Sequence, residues 1–104
     1  MSVQGQELIE GRAFLDAREA SWLVTLVEFD TAAAFELDGH ASLVAWLVDR
    51  CRLGRSTAKE KVRVAHELHR RPVISDAFLD GTLSYSQARA LTRLVALNDG
   101  RDAA

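Results

Sequence analysis

The chain has 104 residues and a mass of 11.5 kDa, which is the size of one folded domain and excludes a second unit of comparable size. Hydrophobic residues make up 48% and charged residues 27%, which excludes a disordered or low-complexity chain. The net charge of −2 at pH 7 conceals a segregation along the sequence. Residues 1–49 carry −7, residues 50–71 carry +6 and residues 72–104 carry −1.

A long first helix is predicted from Leu8 to Phe29, with an irregular start near Gly11, because the segment lacks proline and its apolar residues recur at helical spacing. In its second half, apolar side chains cover most directions around the helix axis, which indicates burial on two sides. Two interpretations follow. The helix is central to the core, or one of its faces is buried against a second copy of the chain through Trp22, Leu26 and Phe29.

An acidic connector at residues 30–38 separates the first helix from the second, and Asp38-Gly39 is a turn signal. Ser42 is predicted to cap the second helix. This helix is expected to stop at Leu53-Gly54, where glycine can supply the left-handed residue that ends many helices.

The third helix is predicted to begin with Ser56 or Thr57 as its cap, and Glu60 stands three residues after Thr57 in the spacing of a capping box. It should end near Arg70, because Pro72 disfavours helical backbone in the residue before it. A basic helix with well-marked ends is therefore expected between the second and fourth helices.

Two more helices are predicted after the proline. Ser75 is expected to cap a short fourth helix that ends at Gly81. Ser84 and Gln87 form a second capping box, which predicts a fifth helix through about Leu97.

These elements predict an all-α fold of about five helices, because one proline and six glycines leave few breaks in a helix-forming composition. We expect a single helical domain over residues 1–104, with its core at about 8–97 and a tail at 98–104. In this architecture, the long first helix packs under two pairs of helices, each resembling a helix-turn-helix unit.

The third helix carries the most informative pattern of the sequence. On a helical wheel, five basic or potentially basic side chains share one arc of about 80°. They are Arg55, Lys59, Arg63, His66 and Arg70. Apolar side chains occupy the opposite side, and Lys61 falls among them, so its ammonium must reach solvent or meet a carboxylate.

A short turn followed by a helix with a basic face is the outline of a helix-turn-helix unit that binds duplex DNA. In this hypothesis the cations contact phosphates, and two hydroxyls place the helix N-terminus against the DNA backbone. The predicted contacts are Arg52, Arg55, Ser56, Thr57, Lys59, Arg63, Arg70 and Arg71. Alternatively, the basic block is a solvated face, or it pairs with the acidic half within one molecule or between two.

No catalytic or metal site is predicted, and neither is a cofactor or a small-molecule substrate. Cys51 has no second thiol and is expected to pack as a small apolar residue. His66 and His69 lack a third ligand at a fixed spacing, and His40 follows a turn without a nearby nucleophile. Without a signal peptide or a membrane-spanning run, the chain is expected to be cytoplasmic.

Three elements occur in an order and at separations that resemble a known family. They are Ser-x-x-x-Trp-Leu at 42–47, Val-Arg-Val-Ala at 62–65 and Gly-x-Leu-Ser at 81–84. Over about residues 8–97 the chain resembles the 13E12 repeat family, also filed as domain of unknown function 222. Many of these bacterial proteins continue into a C-terminal HNH endonuclease module. The resemblance implies the non-catalytic helical part of such a protein, with nucleic acid as the substrate of the parent chain.

The sequence thus leaves two classes of function open. One is a non-catalytic DNA-binding module that uses the basic face of residues 56–70. The other is a protein-interaction or homodimerisation module that uses the apolar first helix.

Overall fold

The computed structural model describes the backbone of residues 2–103 and the side chains of residues 2–99. This range contains five α-helices, one short 3-10 helix and no strand, which confirms the all-α prediction. The α-helices are α1 (Val3–Thr31), α2 (Leu43–Arg50), α3 (Arg55–Arg70), α4 (Pro72–Leu79) and α5 (Tyr85–Ala103). The 3-10 helix, Ala34–Asp38, lies in the acidic connector between α1 and α2.

Helix α1 is longer than the sequence predicts. It begins at Val3 because the Ser2 hydroxyl accepts a hydrogen bond of 3.0 Å from the Gly5 amide and so caps the first turn. The helix passes through Gly11 without interruption, so the expected irregular start there was wrong. Its buried residues all lie in the second half, from Ala20 to Val27.

The turn between α2 and α3 differs from the predicted one. Gly54 has an extended backbone with φ of −65° and is the N-cap of α3, whereas Arg52 takes the left-handed conformation with φ of 61°. Ser56 and Thr57 therefore lie inside the first turn of α3, and the prediction that either caps the helix was wrong. The cap of α2 was predicted correctly, because the Ser42 hydroxyl accepts from the Ala45 amide at 3.1 Å.

The last two helices also begin or end away from their predicted limits. Helix α4 starts at Pro72 rather than after Ser75, because proline fits the first turn of a helix, where its missing N–H has no partner. The predicted capping box of α5 is confirmed by two reciprocal hydrogen bonds of 2.9 and 3.1 Å between Ser84 and Gln87. Helix α5 continues to Ala103, past its predicted end near Leu97.

The core lies where α1 crosses α3 and α4, with α2 and α5 packed against α3. Its fully buried large side chains include Leu23, Leu47, Val64 and Phe78. Half-buried Cys51 packs against this core as predicted, and burial raises the pKa of its thiol. Between α1, α3 and α4 the core opens into an apolar groove of about 630 Å³.

The arrangement agrees with two helix pairs, α2–α3 and α4–α5, that pack together beside a long first helix. The second helices of the two pairs, α3 and α5, contact each other directly. None of the helices within residues 2–103 combines the length and the apolar character needed to cross a bilayer.

Candidate nucleic-acid interface

The packing of α3 fixes which of its side chains face solvent. The buried side chains are Ala58, Val64, Ala65 and Leu68. They occupy the apolar arc that the helical wheel predicts, so the opposite, basic side of the helix points outward. Arg55 and Lys59 are exposed on that side, one helical turn apart.

Glu60 is the centre of a cluster of arginines from two helices. Its Oε1 accepts from Nε of Arg63 at 2.5 Å, and its Oε2 accepts from Nε of Arg89 and Nη2 of Arg93, each at 2.6 Å. The hydrogen bond from Arg63, together with those from Arg89 and Arg93, lowers the pKa of Glu60 to about 2. Glu60 is therefore ionised at neutral pH, and the cluster carries a net charge of +2.

Sequence analysis did not place Arg89 and Arg93 in the candidate site. They lie on α5 next to Ala88 and Thr92, which are completely buried and turn this side of α5 toward the bundle. The sequence does contain one signal: Arg89 and Arg93 are four residues apart, as are Ala88 and Thr92, so each pair lies on one face of α5. The contact of this side of α5 with Glu60 is tertiary, and no local pattern predicts it.

The positive charge at the C-terminal end of α3 is largely neutralised by neighbouring carboxylates. Glu67 accepts from Arg70 at 3.3 Å and from Arg71 at 3.1 Å, and Arg71 also forms an ion pair with Asp99 of α5. These carboxylates raise the pKa of Arg71, Asp99 contributing most. Of the two arginines predicted to contact DNA here, Arg70 is exposed and Arg71 is half-buried in ion pairs.

The acidic first helix meets the basic third helix within the same molecule. Lys61 forms an ion pair with Glu19 of α1, and its ammonium lies 4.0 Å from the centre of the Tyr85 ring. His66, one of the five residues on the predicted basic face, contacts the Asp30 carboxylate at 2.7 Å. Part of the charge segregation is thus resolved by contacts between α1 and α3.

The N-terminal end of α3 retains free cations. Among the residues whose side chains are described, Arg52, Arg55 and Lys59 have no ion-pair partner. Ser56 and Thr57 are exposed beside them and line a shallow pocket of about 280 Å³ between α3 and α5.

These observations define a surface that extends across both helices, which we call the α3–α5 cationic surface. It consists of Arg52, Arg55, Lys59, Arg63, Arg89 and Arg93 around Glu60. It carries a net charge of +5. Six of the eight predicted contacts lie on it or at its edge, and Arg70 and Arg71 lie further along α3 with their own carboxylates.

The residues predicted to form an interface on α1 are placed mainly in the core. Leu26 is only 5% exposed, and Trp22 and Phe29 are half-buried against the same core. The ring of Phe29 packs on that of Trp46 with 4.5 Å between centroids. Leu26 therefore offers no surface to a second copy, because it is used by the fold itself.

The exposed apolar surface of α1 lies instead in its first half. Its members are Val3, Leu8, Ile9, Phe14 and Leu15, each more than half exposed. Only Gly5 and Asp16 are shielded to an intermediate degree between Ser2 and Arg18, so this half of the helix extends along the edge of the bundle.

Within residues 2–99, no three metal-binding side chains come together in a group that could hold an ion. The Nε2 of His40 lies 2.9 Å from the Asp49 carboxylate, which ties the turn after the 3-10 helix to α2.

Comparisons with protein-family models, with curated proteins and with solved structures found no match to this chain. The resemblance to the 13E12 repeat family thus stays a prediction from its three sequence elements.

Proposed function

We propose that this chain is a non-catalytic helical module that binds the phosphates of duplex DNA through the α3–α5 cationic surface. The proposal rests on an excess of positive charge: five cations on the second helices of two adjacent helix pairs, together with Arg52 in the turn before α3, surround one carboxylate. Phosphate contacts supply most of the affinity in non-specific DNA binding. The same proposal makes the chain a 13E12-type module of a bacterial, cytoplasmic protein associated with HNH endonucleases.

Arg55 and Lys59 are the residues with which to test this proposal. They are exposed and have no described partner, so replacing them breaks no ion pair and buries no charge. Arg63 is less suitable, because its reversal would place a second carboxylate beside Glu60.

We expect the double variant Arg55→Glu/Lys59→Glu to bind random duplex DNA about 100-fold more weakly at low salt, because two phosphate contacts become repulsive. The magnitude of the slope of log affinity against log salt should fall by about 2. Fluorescence anisotropy of a labelled duplex across a salt series measures both quantities. Circular dichroism of the same samples reports whether the fold is intact.

Arg12→Glu/Arg18→Glu is the matched control, because it changes the net charge equally on exposed residues of α1 and breaks only the i,i+4 ion pair of Arg12 with Asp16, a kind of surface pair that contributes little to stability. It should change the affinity by less than about threefold. An equal loss in both variants would mean that only total charge matters. No binding by the wild-type chain at low salt would refute the proposal.

The exposed first half of α1 favours a second candidate, self-association of two copies. Five large apolar side chains are exposed within four helical turns, which is more apolar exposure than monomers usually show on one helix. Leu8 and Leu15 are seven residues apart and lie on one face of the helix. A second copy of the same face would bury both.

If α1 mediates a dimer, the double variant Leu8→Glu/Leu15→Glu should be monomeric, because carboxylates replace the apolar contact. Light scattering across a dilution series gives the mass of the wild type and the variant. Val73→Glu is the control, since Val73 is at least as exposed as Leu8 and Leu15 and lies on α4 rather than on α1. A monomeric wild type at every concentration would rule this candidate out.

A further inference from the structure

The cluster around Glu60 contains more positive charge than a structural ion pair requires. One arginine would neutralise Glu60, yet three guanidinium groups from α3 and α5 converge on it. Convergent arginines are also the groups with which proteins bind phosphate, through paired N–H donors. The arrangement therefore resembles a phosphate-binding site in which the Glu60 carboxylate lies at the point where the three guanidinium groups converge.

The arginines retain donors for a ligand. Each guanidinium has five N–H groups. The described hydrogen bonds use Nε and Nη2 of Arg63, Nε of Arg89 and Nη2 of Arg93. The side chains of Arg89 and Arg93 are 50% and 60% exposed, so their remaining donors face solvent.

We propose that Arg63, Arg89 and Arg93 form one phosphate-binding site of the α3–α5 cationic surface, and that Glu60 holds these arginines together while limiting their affinity for phosphate. This inference rests on the proposed DNA binding and adds a residue that opposes it. Glu60 is thereby a positioning residue, and its fixed negative charge faces the incoming phosphate.

The substitution Glu60→Gln has two opposing effects on the affinity for DNA. Glutamine at position 60 keeps an oxygen that accepts from one arginine, so part of the organisation remains. The same change removes a full negative charge close to the bound phosphate, and such charges repel even in a solvent-exposed site. The loss of repulsion exceeds the loss of order, so the variant should bind more tightly.

The variant Glu60→Gln should bind the same labelled duplex about tenfold more tightly than the wild type at low salt. Its salt dependence should be steeper by about one unit of slope, because one more phosphate is neutralised. Adding Arg89→Gln/Arg93→Gln to this variant should abolish the gain.

Glu67→Gln is the matched control, because Glu67 also binds two arginines, lies on the same helix and changes the charge equally. An equal gain in Glu67→Gln would overturn the proposal, since it would then reflect general charge. Unchanged or weaker binding by Glu60→Gln would overturn it as well, and would make the cluster a purely structural ion-pair network.

Two further results distinguish a failure of the proposed DNA binding from a failure of the phosphate-site proposal, and both from misfolding of the variant. If neither the wild type nor Glu60→Gln binds DNA at low salt, the proposed function fails and this inference fails with it. If Glu60→Gln loses its helical circular dichroism, Arg89→Gln/Arg93→Gln in the wild-type background decides, because both side chains are exposed. An affinity about tenfold lower supports the phosphate site, and an unchanged affinity overturns it.

Discussion

Replacing Phe78 by alanine should cost about 3–5 kcal/mol of the free energy of unfolding. Phe78 is 2% exposed, lines the apolar groove between α1, α3 and α4, and its ring centroid lies 6.1 Å from that of Tyr85. Its removal leaves a cavity at the point where three helices meet. For a domain whose total stability is about 5–15 kcal/mol, this loss brings the chain close to unfolding.

Urea denaturation followed by circular dichroism measures this loss as a lower midpoint with an unchanged slope. Val73→Ala is the matched control on the same helix, because Val73 is 83% exposed and should lose no more than about 0.5 kcal/mol. Similar midpoints for the two variants would show that Phe78 is not part of a packed core.

Lys61→Glu should destabilise the fold by about 2–3 kcal/mol, because it removes the partner of Glu19 and places a second carboxylate beside it. Both side chains of the pair are about four-fifths shielded from solvent. The ammonium also lies over the Tyr85 ring, whose face repels a carboxylate. The expected cost is below that of a fully buried pair, since water still reaches the charges.

Thermal unfolding of Lys61→Glu beside Lys59→Glu tests this expectation. Lys59 is exposed two positions earlier on the same helix, and its reversal should change stability by no more than about 0.5 kcal/mol. The charge swap Glu19→Lys/Lys61→Glu should recover part of the loss. If the swap is as unstable as Lys61→Glu alone, the ion pair contributes nothing to the fold.

Local sequence patterns predicted this fold well where a single capping motif sets the start of a helix or a single periodicity sets its buried face. The spacing of Ser84 and Gln87 identifies the start of α5, and the helical wheel of α3 separates its buried from its basic side. The wheel also marked Lys61 as a cation that must reach solvent or meet a carboxylate, and in the structure it meets Glu19.

The turn before α3 was mispredicted because two residues competed for one conformation. Glycine usually takes the left-handed position after a helix, yet here Arg52 takes it and Gly54 begins the next helix. Helix α3 thereby gains residues at its start, and Ser56 and Thr57 lose their role as caps. Local sequence rules cannot decide between Gly54 and Arg52 as the left-handed residue, since the free-energy difference between the two turns depends on how α2 packs against α3.

The candidate site was only half visible in the sequence for a related reason. Glu60 looked like the end of a capping box with Thr57, whereas its carboxylate binds arginines from α3 and α5. Arg89 and Arg93 lie about thirty residues away in sequence. Only the contact between α3 and α5 reveals that the basic surface includes them.

The uneven burial of α1 divides one continuous helix into two regions of different local stability. From Ala20 onward, opening a backbone hydrogen bond also exposes core side chains, so amide protons there are protected by nearly the full stability of the domain. Before Leu15, the turns have little tertiary support, and short unsupported helices are marginal in water. In a monomer, hydrogen exchange therefore slows progressively along α1, and its first turns fray while the domain stays folded.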